Sequence, residues 1–328
     1  MGKSCFIHFC IVILLNKPLL AIDVLLIAGG VYRNLTTQLN VPLSSVEIVG
    51  PTGSCEISPL PEPRQSLSVV RVGNSVFACG GFYIYERTEC FEYIPEIQRW
   101  LMGPRLGKAL IFSGAVSFQN RLVLIGGRRF NYGTGSWDYL KDIQVWDSES
   151  KLWIHPYPPL PYAIADACVF TYGSRVIIIG GSNGMYQYSD DPGRVWVLVN
   201  NTWRDDIVPP ILGPRMWHSC EVIHKGNEVG FMLVGGYYNG FSTMYWPLDG
   251  PRHWEWMGPL TEDRKWKPAI GLVNGQLIVA TGGNYGDNRI EVYDGERHWT
   301  LRRDKLRYKR EYAGHTKVPH YWFPHCRF

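Results

Sequence analysis

The stretch Leu122-Val-Leu-Ile-Gly-Gly127 decides how this chain folds. It is an apolar β-type run that closes on two adjacent glycines, and runs of this kind recur along the chain. Because glycine adopts backbone conformations closed to other residues, each pair marks a kink at the end of a strand. A period of about 50 residues indicates a repeat architecture. Successive pairs lie 51, 46, 54, 55 and 47 residues apart, at Gly29-Gly30, Gly80-Gly81, Gly126-Gly127, Gly180-Gly181, Gly235-Gly236 and Gly282-Gly283.

The composition fits a turn-rich all-β protein. Of 328 residues, 45% are apolar and 19% charged, and the chain holds 35 glycines and 22 prolines, so it has the material for a large core. Outside residues 1–21 no sustained 3.6-residue apolar periodicity predicts a helix. Length alone would suggest two domains, but a closed repeat array of this size forms one unit.

Each repeat carries further shared features. Behind most glycine pairs an aromatic residue precedes a tryptophan by 6 to 9 residues, which predicts a third strand, a turn and a fourth strand. The pairs are Tyr93 with Trp100, Trp146 with Trp153, Trp196 with Trp203, Tyr245 with Trp254, and Tyr293 with Trp299. An arginine precedes the innermost strand in four repeats, at Arg64, Arg105, Arg215 and Arg264.

These features resemble the kelch repeat, in which an arginine and a first strand precede a second strand ending in Gly-Gly, and a tyrosine and a tryptophan flank the last turn. The resemblance implies a six-bladed kelch-type β-propeller with four-stranded antiparallel blades, formed as a single unit by residues 22–328. Repeat one lacks the tryptophan and repeat four lacks the arginine.

The two chain ends are predicted to meet in blade one. The segment from Ile22 leaves no room for an innermost strand before the strand that ends at Gly29. Residues 312–318 resemble residues 216–222 of repeat five, so we expect them to complete blade one and seal the ring. Closure removes the unpaired strand edges that a linear array would expose.

Residues 1–21 are predicted to be a signal peptide. An 11-residue apolar run follows Lys3 and ends before a helix-breaking segment and the small residue Ala21. A misread or truncated N-terminus is an alternative, and the run is too short for a membrane span. We therefore expect a secreted chain beginning at Ile22, with a cytoplasmic location as the alternative.

The cysteines and the glycosylation sequons agree with secretion. Six cysteines follow Ala21, an even number suited to an oxidising compartment. Cys79 and Cys90 lie in strands expected to be neighbours, within disulfide reach. Cys168 and Cys220 either pair or stay reduced, and other connectivity is undecided. Asn34 and Asn200 begin glycan acceptor sequons.

Function is expected in the loops. Strands alternate in direction within a blade, so the loops after the second and fourth strands emerge on one face. These loops are rich in residue types that dominate protein interfaces. The candidate partner-binding residues are Arg128, Arg129, Tyr132, Trp137, Tyr139, Tyr186, Tyr188, Tyr237 and Tyr238.

The chain therefore reads as a monomeric, non-catalytic module that binds a protein or peptide, with an acidic partner as one option. No catalytic, phosphate-binding or zinc-binding motif is present, and no cofactor or metal is expected. His218 is expected to be a hydrogen-bonded strand residue. The alternatives are an intracellular kelch adaptor that selects substrates for ubiquitin ligation or binds actin, and a glycan-binding or galactose-oxidase-like role.

The charge of the chain argues against nucleic acid as a partner and excludes few other partner classes. The formal net charge is +4, and the one basic run, Arg302 to Arg310, contains a single aromatic residue, Tyr308. A nucleic-acid surface needs interleaved aromatic platforms. The run is interpreted either as a solvated linker or as a patch for an acidic partner, on the same face as the loops.

Overall fold

The computed structural model describes residues 22–184, 193–248, 253–283 and 287–328. Almost all regular structure in these ranges is β, with one short 3-10 helix, His320–Trp322. The strands are β1 Asp23–Ala28, β2 Val31–Arg33, β3 Asn40–Pro42, β4 Val46–Val49, β5 Ser54–Ile57, β6 Ser68–Val72, β7 Ser75–Cys79, β8 Glu89–Ile94, β9 Arg99–Arg105, β10 Gly114–Phe118, β11 Arg121–Ile125, β12 Arg128–Asn131, β13 Ser136–Tyr139, β14 Ile143–Asp147, β15 Leu152–Ile154, β16 Cys168–Tyr172, β17 Arg175–Ile179, β18 Val195–Val199, β19 Thr202–Arg204, β20 Ser219–Lys225, β21 Glu228–Val234, β22 Ser242–Pro247, β23 Glu255–Pro259, β24 Ala269–Val273, β25 Gln276–Ala280, β26 Asp287–Tyr293, β27 Trp299–Arg310 and β28 Gly314–Pro319.

Twenty-four of these strands form six antiparallel blades, which confirms the predicted propeller. Listed from the innermost strand outward, blades one to six are β28-β1-β4-β5, β6-β7-β8-β9, β10-β11-β14-β15, β16-β17-β18-β19, β20-β21-β22-β23 and β24-β25-β26-β27. Two additional hairpins, β2-β3 and β12-β13, extend from blades one and three. In the described ranges no helix is long and apolar enough to cross a membrane.

Blade one is built from both chain ends, as predicted. Strand β28 pairs with β1 in antiparallel register from Asp23↔Pro319 to Ala28↔Gly314. The closing strand starts two residues later than the sequence suggested, because Tyr312 belongs to the turn that precedes it. The first strand of the chain, β1, therefore has the last strand, β28, as its inner neighbour.

Aromatic residues join neighbouring blades. The ring centroids of Tyr93 and Trp100 lie 5.2 Å apart, and Trp100 donates its indole N–H to the Ser58 carbonyl in the connection from blade one. Trp153 makes the equivalent hydrogen bond to Arg105, and Trp203 makes it to Pro158. Each tryptophan thus buries apolar area and satisfies its polar atom on the preceding blade. In blade five the prediction was wrong by one residue, since Trp246 rather than Tyr245 packs on Trp254.

The glycine pairs are turns that lock each blade to the next. Gly80 and Gly81 have φ values of 62° and 90°, in the left-handed region that favours glycine. The Gly81 N–H donates to the Leu110 carbonyl of blade three at 2.8 Å, and a Cβ on Gly80 would collide with that oxygen. Equivalent hydrogen bonds cross all six blade junctions.

In blade six the turn does not use the predicted pair Gly282-Gly283. The left-handed residues there are Thr281, with φ 64°, and Gly282, with φ 72°. The Gly282 N–H makes the junction hydrogen bond to the Arg310 carbonyl at 3.1 Å. The Thr281 hydroxyl accepts a hydrogen bond from the Ala269 N–H, which helps to hold a β-branched residue in this conformation.

A buried arginine clamps the loop after the second strand in four blades. The Arg64 guanidinium donates to the carbonyls of Gly80 and Glu89, at the two ends of that loop in blade two. The equivalent residues in blades five, six and one are Arg215, Arg264 and Arg310. Leu110 occupies this position in blade three, so the prediction for Arg105 was wrong; Arg105 ends β9 with an exposed side chain.

The basic run was also misread as a linker or a loop-face patch. It lies entirely within β27, the outermost strand of blade six. Three of its arginines form ion pairs: Arg307 contacts Glu56, Arg310 contacts Glu47 and Arg302 contacts Asp304, whereas Arg303, Lys305 and Lys309 are exposed. Arg307 and Arg310 therefore help to hold the ring seam together.

Candidate functional site

Strand direction places two sets of loops on one face of the ring, here called the loop face. They are the loops after the second strand of each blade and the connections between blades. In the described chain this face contains residues 29–45, 80–88, 126–142, 180–184, 193–194, 235–241 and 281–283, and connections 58–67, 106–113, 155–167, 205–218, 260–268 and 311–313.

The centre of the loop face is a ring of six non-glycine residues in the left-handed conformation. Each lies two residues before the innermost strand of its blade, and φ ranges from 52° to 62°. These residues, called the mouth ring, are Ser66, Phe112, Asp166, Trp217, Lys267 and Tyr312. Their backbone N–H groups donate to the neighbouring blade around the axis, as from Phe112 to Ser66 at 3.0 Å and from Lys267 to Trp217 at 2.8 Å. The sequence analysis missed this ring because its residue types have nothing in common.

Aromatic side chains cluster at the mouth of the central channel. Trp217 lies 5.5 Å from Tyr312 and 5.3 Å from Trp266, measured between ring centroids. Phe112 meets Tyr312 edge-on at 5.4 Å, and Tyr237 meets Trp266 at 5.2 Å. These five residues are called the aromatic plug. Contacts of this kind stabilise the plug beyond simple area burial.

The predicted partner-binding loop of blade three is a hairpin, β12-β13, that leans on the plug. Arg128 donates to the Tyr139 hydroxyl at 3.0 Å, and its guanidinium lies 4.8 Å from the Trp137 ring centroid and 4.9 Å from that of Phe112. Arg129 pairs with Asp138 at 3.4 Å. Both arginines thus have partners within the chain, and Arg128 is mainly a packing residue.

Buried charge at the mouth is balanced by neighbours. Asp166 is 4% exposed, accepts the Trp217 indole N–H at 2.6 Å and lies 4.0 Å from Arg128. Burial raises the pKa of Asp166 to about 6, against the opposing effects of Arg128 and Trp217. Burial lowers the pKa of Lys267, which Asp166 opposes. The mouth therefore has charged groups that are held in place by packing.

Of the eight large apolar side chains exposed on the described loop face, six lie on the loops of blades one to three, and the other two are Leu212 and Phe241. Tyr132 and Trp137 project from the blade-three hairpin with 74% and 40% of their surface exposed. Sequence analysis found these two but missed the other four, which sit in the loops behind the first two glycine pairs. This loop-face crescent consists of Leu35, Leu39, Ile84, Tyr85, Tyr132 and Trp137. Patches of large exposed apolar residues mark interaction sites.

The crescent is supported from beneath. The Tyr132 hydroxyl donates to Glu86 at 3.1 Å, which joins the loops of blades two and three. Arg87 stacks 4.1 Å from the Tyr85 ring centroid and pairs with Glu62 at 3.1 Å. Side chains held in this way lose less conformational entropy when a partner binds.

The remaining predicted loop residues fall in two groups. Tyr237 and Tyr238 of blade five contact each other at 4.6 Å, and Tyr237 belongs to the aromatic plug. They lie beside the channel mouth rather than in the crescent. Tyr186 and Tyr188 lie outside the described residues, as does the predicted signal segment 1–21.

Three disulfides join the six described cysteines. Cys79 and Cys90 face each other directly across β7 and β8, with Cα atoms 4.0 Å apart. Cys168 and Cys220 link the innermost strands of blades four and five, a pairing the sequence left open. Cys55 and Cys326 link the outer strand of blade one to the segment behind β28, a pairing that the sequence did not indicate.

The two sequons lie in turns. Asn34 is in the β2-β3 loop, where its side-chain oxygen accepts the N–H groups of Thr36 and Thr37. Asn200 and Asn201 form the two-residue turn between β18 and β19, with φ values of 47° and 60°, and Asn200 is exposed. Positive φ at both positions is the geometry that asparagine tolerates in tight hairpins.

Comparison with known proteins gave relatives with kelch repeats, although no protein-family model matches the chain. Kelch-like protein 40a of Danio rerio is 25% identical over 126 residues, which is 36% of this chain and 20% of the relative. Kelch-like protein 36 of Mus musculus is 31% identical over 130 residues, or 37% of this chain and 20% of the relative. The chain thus matches about a fifth of the length of these two relatives.

Two further comparisons cover more of the chain. Kelch repeat protein M-T8 of Myxoma virus is 26% identical over 192 residues, which is 55% of this chain and 35% of the relative. The solved structure of YjhT superposes with a TM-score of 0.61 over 84% of this chain and 97% of YjhT, at 13% identity, a likeness of fold. With the repeated motif and the six four-stranded blades, these comparisons support a kelch-repeat β-propeller family for the chain.

Proposed function

We propose that this protein is a non-catalytic binding module that holds a protein or peptide partner on the loop-face crescent. The observation that carries this proposal is the set of six large apolar side chains exposed on consecutive loops of a rigid ring. Aromatic residues of this kind supply most of the binding free energy at protein interfaces. Relatives with kelch repeats support a protein-interaction role.

The crescent determines which partner chemistry fits. Five of its six residues have more than half of their surface exposed, so a partner must offer apolar or aromatic side chains. An acidic residue in the partner would meet Arg129, whose side chain is 38% exposed beside Asp138. The proposed contact is therefore mainly apolar with one charged position at its edge.

The test compares replacements of aromatic residues by alanine on two different surfaces of the propeller. Tyr132→Ala combined with Trp137→Ala removes two crescent rings, whereas Trp256→Ala removes a ring that is 50% exposed on the outer strand of blade five. Partners captured by wild type and verified as purified proteins should bind the crescent variant at least about tenfold more weakly. Trp256→Ala should bind like wild type. Equal affinity for all three proteins would reject the crescent.

We also propose that the protein is secreted as a monomer. Three disulfides support an oxidising compartment, since such bonds are rare in cytosolic proteins. Expression with residues 1–21 in secreting cells should deliver a chain that starts near Ile22 into the medium and loses mass when N-glycans are removed. A cytosolic product with free thiols would favour the adaptor alternative, and size-exclusion chromatography tests the monomer.

A further inference from the structure

The central channel widens into a polar chamber directly behind the mouth ring. The chamber has a volume of about 100 Å³ and is bounded by the first residues of the innermost strands. Its polar lining, called here the chamber lining, consists of Ser68, Ser113, His218, Ser219, Lys267 and His315. A channel filled only by packing would be lined by apolar side chains, as in most small barrels and rings.

Side chains lie on both sides of the chamber along the channel. The aromatic plug lies over it on the loop face. On the other side, Lys317 and Glu221 form an ion pair at 2.9 Å, two residues beyond His315 and Ser219 on the same strands. With a rise of about 3.3 Å per residue, this ion pair lies about 7 Å deeper. The chamber is partly open, so a small solute can reach it.

Lys267 is the unusual member of the lining. Its side chain is half-buried and makes no hydrogen bond or ion pair with any residue of the described chain; its ammonium nitrogen lies 6.0 Å from the Phe112 ring centroid. Lys317 and Lys225, by contrast, pair with carboxylates. Asp166, in the same mouth ring, accepts the Trp217 indole N–H and lies 4.0 Å from Arg128, and its charge opposes the effect of burial on the pKa of Lys267 without direct contact. A sheltered cation with no hydrogen-bond or ion-pair partner is costly to hold.

The rest of the lining contains no carboxylate. The Ser68 and Ser219 hydroxyls already donate to the carbonyls of Ser113 and Pro268, which leaves the two histidines as further donors. Both His218 and His315 have ring nitrogens without hydrogen-bond partners in the described chain. Burial lowers the pKa of each to about 3, helped by Arg215 at His218 and by Lys267 at His315, so both are neutral at pH 7. A neutral imidazole carries one N–H donor, and the ammonium group carries three. An excess of donors around one positive charge is suited to an anion.

We propose that the central chamber binds a small monoanion, of the size of chloride, formate or acetate, on the ammonium group of Lys267. The volume sets the size, because a protein cavity of about 150 Å³ accommodates benzene and this one is smaller. The chamber lies behind the plug, so this site is separate from the crescent and does not depend on the proposed partner.

The test is thermal unfolding at constant ionic strength, with chloride or formate replacing gluconate, an anion too large for the chamber. Wild type should show a rise of about 2 °C in Tm when either probe is present at ten times its Kd, and the rise should grow with the logarithm of the probe concentration. Lys267→Met and Lys267→Gln should show no rise. Lys108→Met, which removes an exposed lysine of the loop face, should respond like wild type.

A second measurement needs no variant. Crystals of wild type grown with bromide should show its anomalous signal in the chamber, within hydrogen-bond distance of the Lys267 ammonium nitrogen. A chamber that holds only water, or a Tm response that is the same in wild type and the Lys267 variants, would overturn the proposal. If neither Lys267 variant folds, the position of bromide in wild type decides between the two outcomes.

Discussion

Blade one and blade two have the same four-stranded plan but are assembled differently. Blade two is one continuous segment from β6 to β9, with its disulfide and its clamp Arg64 close in sequence. Blade one takes its innermost strand, its clamp Arg310 and one disulfide cysteine from the other end of the chain. The comparison shows that the ring seam joins the two ends of the chain with the same kinds of contact, an arginine clamp and a disulfide, that blade two forms within one segment.

The largest expected effect comes from removing the seam. A chain ending at Glu311 loses β28 together with the buried residues Val318, Trp322 and Phe323. It leaves the inner edge of β1 unpaired, so we expect no cooperative unfolding transition and a tendency to aggregate. Circular dichroism during heating checks this. A chain that lacks only Arg327 and Phe328 keeps β28 and the disulfide and should unfold cooperatively.

The two disulfides should differ in their contribution to stability. Cys55–Cys326 closes a loop of 271 residues, whereas Cys79–Cys90 closes one of 11. On the chain-entropy account, replacing the first pair by serines should cost about 5 to 6 kcal/mol and replacing the second about 3 kcal/mol. Denaturant midpoints of the two double variants test the order, and a more stable seam variant would contradict it.

The two arginine clamps differ in the burial of their carboxylate partners. Arg310 pairs with Glu47, and both side chains are at most 1% exposed. Arg64 pairs with Glu62 and Glu89, which are 29% and 27% exposed. Arg310→Met strands a buried carboxylate and should cost about 3 to 5 kcal/mol, whereas Arg64→Met should cost less because water reaches its partners.

A double variant separates stranded charge from lost packing. Arg310→Met with Glu47→Leu removes both buried charges, so much of the lost free energy of unfolding should return. Equilibrium denaturation of the two single variants and the double variant gives the coupling. A double variant no more stable than Arg310→Met alone would show that the guanidinium acts through its hydrogen bonds to Gly29 and Ser45.

The smallest expected effect is a difference in pH dependence. Blade one has His315 where blade two has Val69, one residue after the start of the innermost strand. Since the pKa of His315 falls from 6.5 to about 3 on folding, the unfolded chain binds the extra proton first. The stability associated with neutral His315 is present above pH 6.5 and is lost as the pH falls toward 3.

Because blade two has Val69 at the equivalent position, valine is the replacement chosen for His315. Between pH 7 and pH 5, His315→Val should lose about 2 kcal/mol less stability than wild type. His218 and Asp166 titrate in the same interval in both proteins, so their contributions cancel in the comparison. Urea unfolding at the two pH values measures the difference, and equal losses would contradict the prediction.

A structural feature could be predicted from the sequence when it depends on residues that are adjacent in the chain. The glycine pairs, the strands before them and the closing strand could be predicted because each depends on a few adjacent residues. The clamp of blade one could not, since Arg310 looks like any other member of a basic run. Nor could Cys55–Cys326, because no spacing links residues 271 apart.

The candidate site was predictable in part. Residue type and loop position correctly marked Tyr132 and Trp137 as exposed, although their role in binding stays a prediction. The same reasoning could not show that Arg128 stacks on Phe112, because that contact joins loops of different origin. Leu35 and Ile84 lack the residue types that mark interfaces and were missed.

The sequence by itself determined the number of blades. The left-handed turn that follows a strand favours glycine, and the glycine pairs can be read directly from the sequence. Only the tertiary structure decided which side chains meet at the axis. Six residues of unrelated type form the mouth ring, and what they share is a backbone conformation and a position in the circle. Contacts between residues far apart in the chain depend on ring closure, and no local pattern records them.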